Sequence, residues 1–225
     1  MAKAGKISKG LLAEFSTEKV KRPFGNIPPR RYYLIVCEGE ETEPNYFEAI
    51  KRILPPDMVN RITISGTGRN TLSLVKYTQK LVDARRKSDH PPYYKIWLIF
   101  DKDSFAPSDF DNAISTINSK STPTEHWKAA WSNEAFELWY ILHFRTQAGG
   151  ALHRQDYQDI LEKEMGRPYK KNAEDMFDLL KPHVVEAIKR ADAMLRQQRG
   201  KPPHRQNPAT TVQHLVKELL SYIPK

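Results

Sequence analysis

Three carboxylates are the residues of this chain best placed to do chemistry. Glu38 follows the apolar run Leu34-Ile35-Val36-Cys37 and precedes Gly39, and Asp101 and Asp103 bracket Lys102 directly after Ile96-Trp97-Leu98-Ile99-Phe100. Oxygen donors with no accompanying Cys or His cluster suit a hard cation, Mg²⁺ or Mn²⁺, which keeps several waters and also contacts substrate phosphate. Such an ion activates water and stabilises charge developing on phosphorus. The competing reading is that acids at strand ends only solubilise loops. Two acidic clusters at corresponding ends of two strands argue against it, because three carboxylates brought to one rim repel unless a cation joins them.

The elements that must position these residues alternate. Arg31 to Cys37 is a β-branched and aromatic run that reads as a buried strand. A helix follows, with Thr42 as its cap candidate, Tyr46, Phe47, Ile50 and Leu54 at helical spacing, and Pro55-Pro56 as its stop. Arg61 to Ser65 is a second strand, Gly66-Thr67-Gly68 a turn, and Leu72 to Ala84 a second helix. Tyr94 to Phe100 is the third and strongest strand, Pro107 to Ile117 a helix, and His126 to Trp131 a weaker strand. This order predicts an α/β fold, Rossmann-like, with a mostly parallel sheet flanked by helices. In such a sheet ligands bind beyond the carboxyl ends of the strands, where Glu38, Asp101 and Asp103 are expected. From Asn133 onward the pattern is helical, over Phe136 to Leu142, Tyr157 to Met165, Asp175 to Leu195 and Thr210 to Ile223, with a break at Gly149-Gly150. The expected organisation is a basic N-terminal tail over 1–28, an α/β core over 29–148 and a helical C-terminal region over 149–225 packed on the core.

Other residues are weaker candidates. Glu40 and Glu43 lie near the first strand end, although Glu43 also suits the amino end of the following helix. Asn133 and Glu137 are four apart and would share a helical face toward the acidic rim, as supports to the three carboxylates. Gly66-Thr67-Gly68-Arg69 precedes a helix, so its amides and Arg69 are a candidate phosphate contact, against the plainer reading of a turn. Arg190, Arg196, Arg199 and Lys201 form a basic stretch able to grip a nucleic-acid backbone or simply to solvate a helix end. His143 and Cys37 read as packed residues.

The chain carries 36 Lys and Arg against 27 Asp and Glu, a formal charge of +9. That balance favours a polyanionic partner, because basic side chains that neutralise phosphates release condensed counterions. Residues 1–31 hold eight basic residues and two acids, which fits either a phosphate-binding arm or a solvated tail. The single cysteine excludes an internal disulfide framework and a Cys-rich zinc site. No apolar run reaches the ~20 residues that span a bilayer, and the N-terminus lacks the apolar core of a signal peptide. A cytoplasmic location without membrane contact is expected.

Taken together, Cys37-Glu38-Gly39-Glu40-x-Thr42-Glu43-x-x-Tyr46-Phe47, Asp101-x-Asp103, Ser132-Asn133-x-x-Phe136-Glu137-x-Trp139-x-x-x-His143-Phe144 and Asn207-Pro208-Ala209-Thr210-Thr211 resemble the RloB-like (AbiLii-type) proteins over about residues 28–220. The first run also looks like the glutamate motif of a Toprim core and the second like its Asp-x-Asp motif. The resemblance implies a Toprim-like fold, an association with prokaryotic restriction and abortive-infection loci often beside a partner ATPase, and a metal-dependent nuclease activity. It makes Glu38 a general base or metal ligand and has Asp101 and Asp103 hold Mg²⁺ or Mn²⁺ directly or through water. Expected partners are nucleic acid (DNA or RNA), the partner ATPase and further copies of the chain in a homo-oligomer. Two alternatives stand beside the nuclease: a non-catalytic binding or regulatory subunit of a defence ATPase complex, and a phosphotransfer enzyme, since fold does not fix function.

Overall fold

Strands that are apolar on both faces must be covered on both faces, and this sets the architecture. In the computed structural model, which describes residues 30–103, 105–147 and 152–224, β1 (Tyr32–Cys37), β2 (Ile62–Gly66), β3 (Tyr93–Asp101) and β4 (His126–Asn133) form a parallel sheet. A short fifth strand, β5 (Ala209–Thr210), pairs antiparallel with β4, giving the order β2-β1-β3-β4-β5. The fold is therefore α/β with a five-strand, mostly parallel sheet flanked by helices. After β2 the chain crosses over β1 to build β3 on the other side, so the topological switch lies between β1 and β3, the two strands that end in the acids.

Side-chain alternation divides the core in two. Tyr33, Ile35 and Cys37 of β1, with Trp97 and Ile99 of β3, face one side; Leu34 and Val36, with Ile96, Leu98 and Phe100, face the other. The second side is covered by α3 (Thr71–Arg86) and α4 (Pro107–Ser119). The first side packs against α1 (Thr42–Arg52) and the short α2 (Pro56–Val59), and against a C-terminal helical region. That region comprises α5 (Glu137–Phe144), α6 (Arg154–Met165), α7 (Met176–Leu180), α8 (Val184–Gln197) and α9 (Val212–Leu220). Arg31–Lys225 form one compact unit. The basic tail and the Gly149-Gly150 break lie outside the described residues. Among the described residues no helix is long and apolar enough to cross a membrane.

Four local expectations are corrected. Thr42 is the first residue of α1 and not its cap; its hydroxyl donates to the Lys171 carbonyl at 3.0 Å. The expected helix over Asp175 to Leu195 is two helices, because Pro182 has no amide to continue α7 and the chain passes through a 3₁₀ turn at Lys181–His183. Thr210 belongs to β5, where its hydroxyl meets Ser132, and the last helix starts at Val212. Asn133 ends β4, so it shares no helical face with Glu137.

Arg190 has a structural duty. Its Nη1 donates to the carbonyls of Leu142 at 2.7 Å and His143 at 3.0 Å, which closes the carboxyl end of α5. Arg190→Ala is expected to lower stability by about 1.5–3 kcal/mol, the range for hydrogen bonds to charged groups, measured by urea denaturation.

Candidate functional site

β1 and β3 are in register over their carboxyl halves, with Cys37 beside Ile99, so Glu38 and Asp101 emerge side by side. The Glu38 amide donates to the Ile99 carbonyl at 2.9 Å, and the Asp101 amide donates to Glu38 Oε2 at 3.2 Å. The first contact continues the strand ladder; the second ties the Glu38 side chain to the end of β3. Asp103 follows in a left-handed backbone conformation, φ 41°, with its amide donating to the Glu134 carbonyl at 3.0 Å.

The β1–α1 turn supplies more acids. Glu43 is buried, with its carboxylate lying against the backbone of Gly39. A side chain at position 39 would collide with that carboxylate. Gly66, at the end of β2, is held more rigidly: a Cβ there would stand 2.9 Å from two backbone carbonyls, those of Gly39 and Glu40. The turn can therefore fold down against the neighbouring strand only where these positions have no side chain.

Together these residues line a cleft of about 450 Å³ that includes Glu38, Glu40, Glu43, Asp101, Asp103 and Glu137. Glu137, in the first turn of α5, is buried and accepts from the Tyr169 hydroxyl at 3.3 Å. Phe136 also lines the cleft and packs edge-on against Tyr46, Phe47 and Tyr140. The segment carrying Tyr169, Lys171 and Asn172 is strapped across the start of α1 by Thr42 and Asn45, and it brings Lys171 to the cleft.

Arg154 is the residue that sequence reasoning missed. Its Nη2 lies 2.9 Å from Asp101 Oδ2 and 3.7 Å from Asp103 Oδ2. It opens α6, where a positive charge opposes the helix dipole at a cost of about 0.3–1 kcal/mol. Tyr157 and Leu161, both fully buried, stand three and seven residues further on, so the face that anchors α6 also aims Arg154 inward.

Burial governs the protonation of this cluster. Loss of hydration pushes the Glu38 carboxyl up to about 7, with Glu43 and Asp103 adding to the rise and the Asp101 amide and Arg154 opposing it. Asp101 is also driven well above the ordinary carboxylate range, by burial first and then by the charges of Glu43 and Glu137, against the pull of Arg154. Burial likewise raises Glu43. For Arg154 burial works against the charge, and the surrounding acids, Asp101 foremost, outweigh it and raise its pKa.

The donors suit a hard divalent ion, and Asp101 Oδ1 is a buried acceptor with no hydrogen-bond partner among the described residues. Among the described residues no three His, Cys, Asp or Glu side chains converge closely enough to hold a metal as they stand. A guanidinium lies among the carboxylates instead.

The remaining candidates fall elsewhere. Asn133 turns away from the cleft and donates to the His204 carbonyl at 3.1 Å. Arg69 is exposed and lies 4.6 Å from the centre of the Tyr77 ring. Exposed Arg196 and Arg199 line a separate depression of about 460 Å³ with Asp192 and His214, and Lys201 donates to Gln198 Oε1 at 2.8 Å. The structure does not bring these four cations to the acidic cleft.

The raised Glu38 value gives a signed pH dependence. Below its ordinary 4.5 the carboxyl is protonated folded and unfolded, between 4.5 and about 7 only the folded state holds the proton, and above 7 neither does. Folding therefore loses stability as pH rises through that window. In chelator, Glu38→Gln is expected to flatten the loss and to exceed wild type above pH 7 by roughly 1–3 kcal/mol, measured by thermal denaturation across pH.

No curated protein and no solved structure matches the chain. The family model for RloB-like protein matches residues 33–219, most of the sequence, and the chain belongs to that family.

Proposed function

We propose that this protein is a metal-dependent nuclease of a prokaryotic antiphage system, with a Toprim-type site that cleaves nucleic-acid phosphodiesters. The observation that carries the reading is the pairing of Glu38 with Asp101 and Asp103 at the carboxyl ends of the two switch-point strands. The net charge of +9 supports a polyanionic substrate.

Asp101 and Asp103, with Glu38 as a further ligand or as the base, would hold Mg²⁺ or Mn²⁺. The ion, when bound, supplies a nucleophile at neutral pH and charge neutralisation at phosphorus. Glu38 is suited to proton transfer, because a carboxyl pushed up to about 7 is shared between its two forms near neutrality. The Asp101 amide, 3.2 Å from Glu38 Oε2, fixes the orientation of that carboxyl. Buried Glu43 and Glu137 add negative charge behind the site and strengthen its demand for a cation.

One observation favours a second reading, a non-catalytic binding or regulatory subunit of a defence ATPase complex. Arg154 already neutralises Asp101, as a structural ion pair would in a site that no longer holds metal.

Plasmid DNA, single-stranded DNA and total tRNA incubated with wild type in Mg²⁺ or Mn²⁺ separate the two. The nuclease reading expects cleavage of at least one substrate, abolished by chelator and reduced roughly a hundredfold or more in Asp101→Asn/Asp103→Asn. Absence of cleavage in every lane, with all proteins folded by circular dichroism, would favour the binding subunit. A second measurement reads the metal directly. At pH 7, Mn²⁺ is expected to raise the melting temperature of wild type and to leave that of the double variant unchanged, because a ligand stabilises only the state that binds it.

A further inference from the structure

We infer that Arg154 is the substrate-phosphate anchor of this site, stored on Asp101 and Asp103 until a divalent ion takes those carboxylates. The inference rests on the metal-dependent reading above and adds a residue, a ligand class and an order of events. The ligand is a phosphodiester oxygen of the nucleic acid.

Two unpartnered groups meet at this ion pair. Asp101 is only 7% exposed, and among the described residues its Oδ1 is buried without a hydrogen-bond partner and Arg154 Nε is a buried donor with no acceptor. A buried acceptor beside a buried donor, each unused, is a costly arrangement in a finished structural salt bridge, where remaining lone pairs and protons are normally satisfied. Both are satisfied if a cation binds the Asp101 side and an anionic oxygen the Arg154 side. Phosphate fits the second role, because the planar guanidinium presents donors in a fixed fork that matches phosphate oxygens.

Charge in the cleft points the same way. Among the described residues, seven carboxylates line it against two cations, Arg154 and Lys171. Ionised acids repel a polyanion from such a cleft while the Arg154 guanidinium is engaged by Asp101 at 2.9 Å. A divalent ion at Asp101 and Asp103 removes the repulsion and releases Arg154 in the same event. Arg154 needs no large movement to change partners: its side chain is 37% exposed and held at the start of α6, whose backbone is fixed by buried Tyr157 and Leu161.

The arrangement makes metal and guanidinium competitors, and metal and substrate cooperative. Mn²⁺ uptake can be followed by electron paramagnetic resonance, and binding of a short fluorescent phosphorothioate oligonucleotide by anisotropy with and without Mn²⁺. Proteins for comparison are wild type, Arg154→Gln, Arg154→Lys and Asp101→Asn, each first shown to be folded by circular dichroism. Arg154→Gln is expected to bind Mn²⁺ severalfold more tightly than wild type and, in Mn²⁺, to bind the oligonucleotide about tenfold more weakly. Arg154→Lys keeps the charge without the fork and carries the test if the Gln variant does not fold; it is expected to keep wild-type Mn²⁺ affinity and lose oligonucleotide affinity. If wild type takes up Mn²⁺, Asp101→Asn does not, and the Arg154 variants match wild type with both ligands, the inference is overturned and the metal-dependent reading stands. If wild type takes up no Mn²⁺, both fall.

Discussion

Carboxylates that leave water together, at the ends of neighbouring parallel strands, lose their hydration and repel one another at the same time. Asp101 and Glu43 are almost wholly buried, Glu137 is buried in the first turn of α5, and Glu38 stands at their edge. An isolated ion in such a place costs several kcal/mol even after the surroundings relax. Burial raises the pKa of Glu38, Asp101 and Glu43, which favours their neutral forms, and the Arg154 guanidinium pairs with Asp101. Much of the rest follows. α6 must dock so that Arg154 faces inward, the turn after β1 must be free of side chains at Gly39, and β2 must end in Gly66 so that this turn lies against it.

Sheet topology explains why the acids meet at all. A crossover that starts on one side of β1 and returns on the other leaves a crevice between β1 and β3, and residues beyond those strand ends are not covered by a connecting helix. Glu38 and Asp101 occupy the opposite lips of that crevice. The C-terminal region then closes the cleft from one side: α5 contributes Glu137, α6 contributes Arg154, and the segment after α6 contributes Tyr169 and Lys171. Arg190 of α8 holds the far end of α5 through two carbonyls. The helical region is thus part of the site as well as a cover for the sheet.

What the sequence makes legible is whatever is local. β1 and residues 96–100 of β3 announce themselves because both faces are buried there and the apolar run is unbroken, and the acids that stop those runs are acids of the cleft. β4 is a weaker signal because Lys128 and Ser132 interrupt it, and this pulled Asn133 toward the following helix when it belongs to the strand. Pro182 is visible in the sequence, yet the apolar period on both sides of it continues closely enough to read as one helix. Arg154 leaves almost no local trace, since its partners lie 53 and 51 positions away. A basic residue at the start of an amphipathic helix, against the dipole, is the one hint. Arg190 is similar: its partners are on α5, and from sequence it reads as one more surface cation.

Overall charge and cleft charge have opposite signs, and the difference bears on how a polyanion would arrive. The chain is +9, yet among the described residues seven carboxylates and two cations line the cleft. For a polyanionic substrate, long-range attraction would come from outside those lining residues, for which exposed Arg196, Arg199 and Lys201 are candidates. Attraction of that kind is screened within about 8–10 Å at physiological salt. It can raise the encounter rate without selecting a bond to act on. Selection falls to the cleft, whose charge is close to reversal: burial already favours protons on Glu38, Asp101 and Glu43, and a dipositive ion would favour their ionised forms while cancelling their field. On the metal-dependent reading proposed above, the acidic site of this basic protein would be conditional, admitting a polyanion only once a cation has entered.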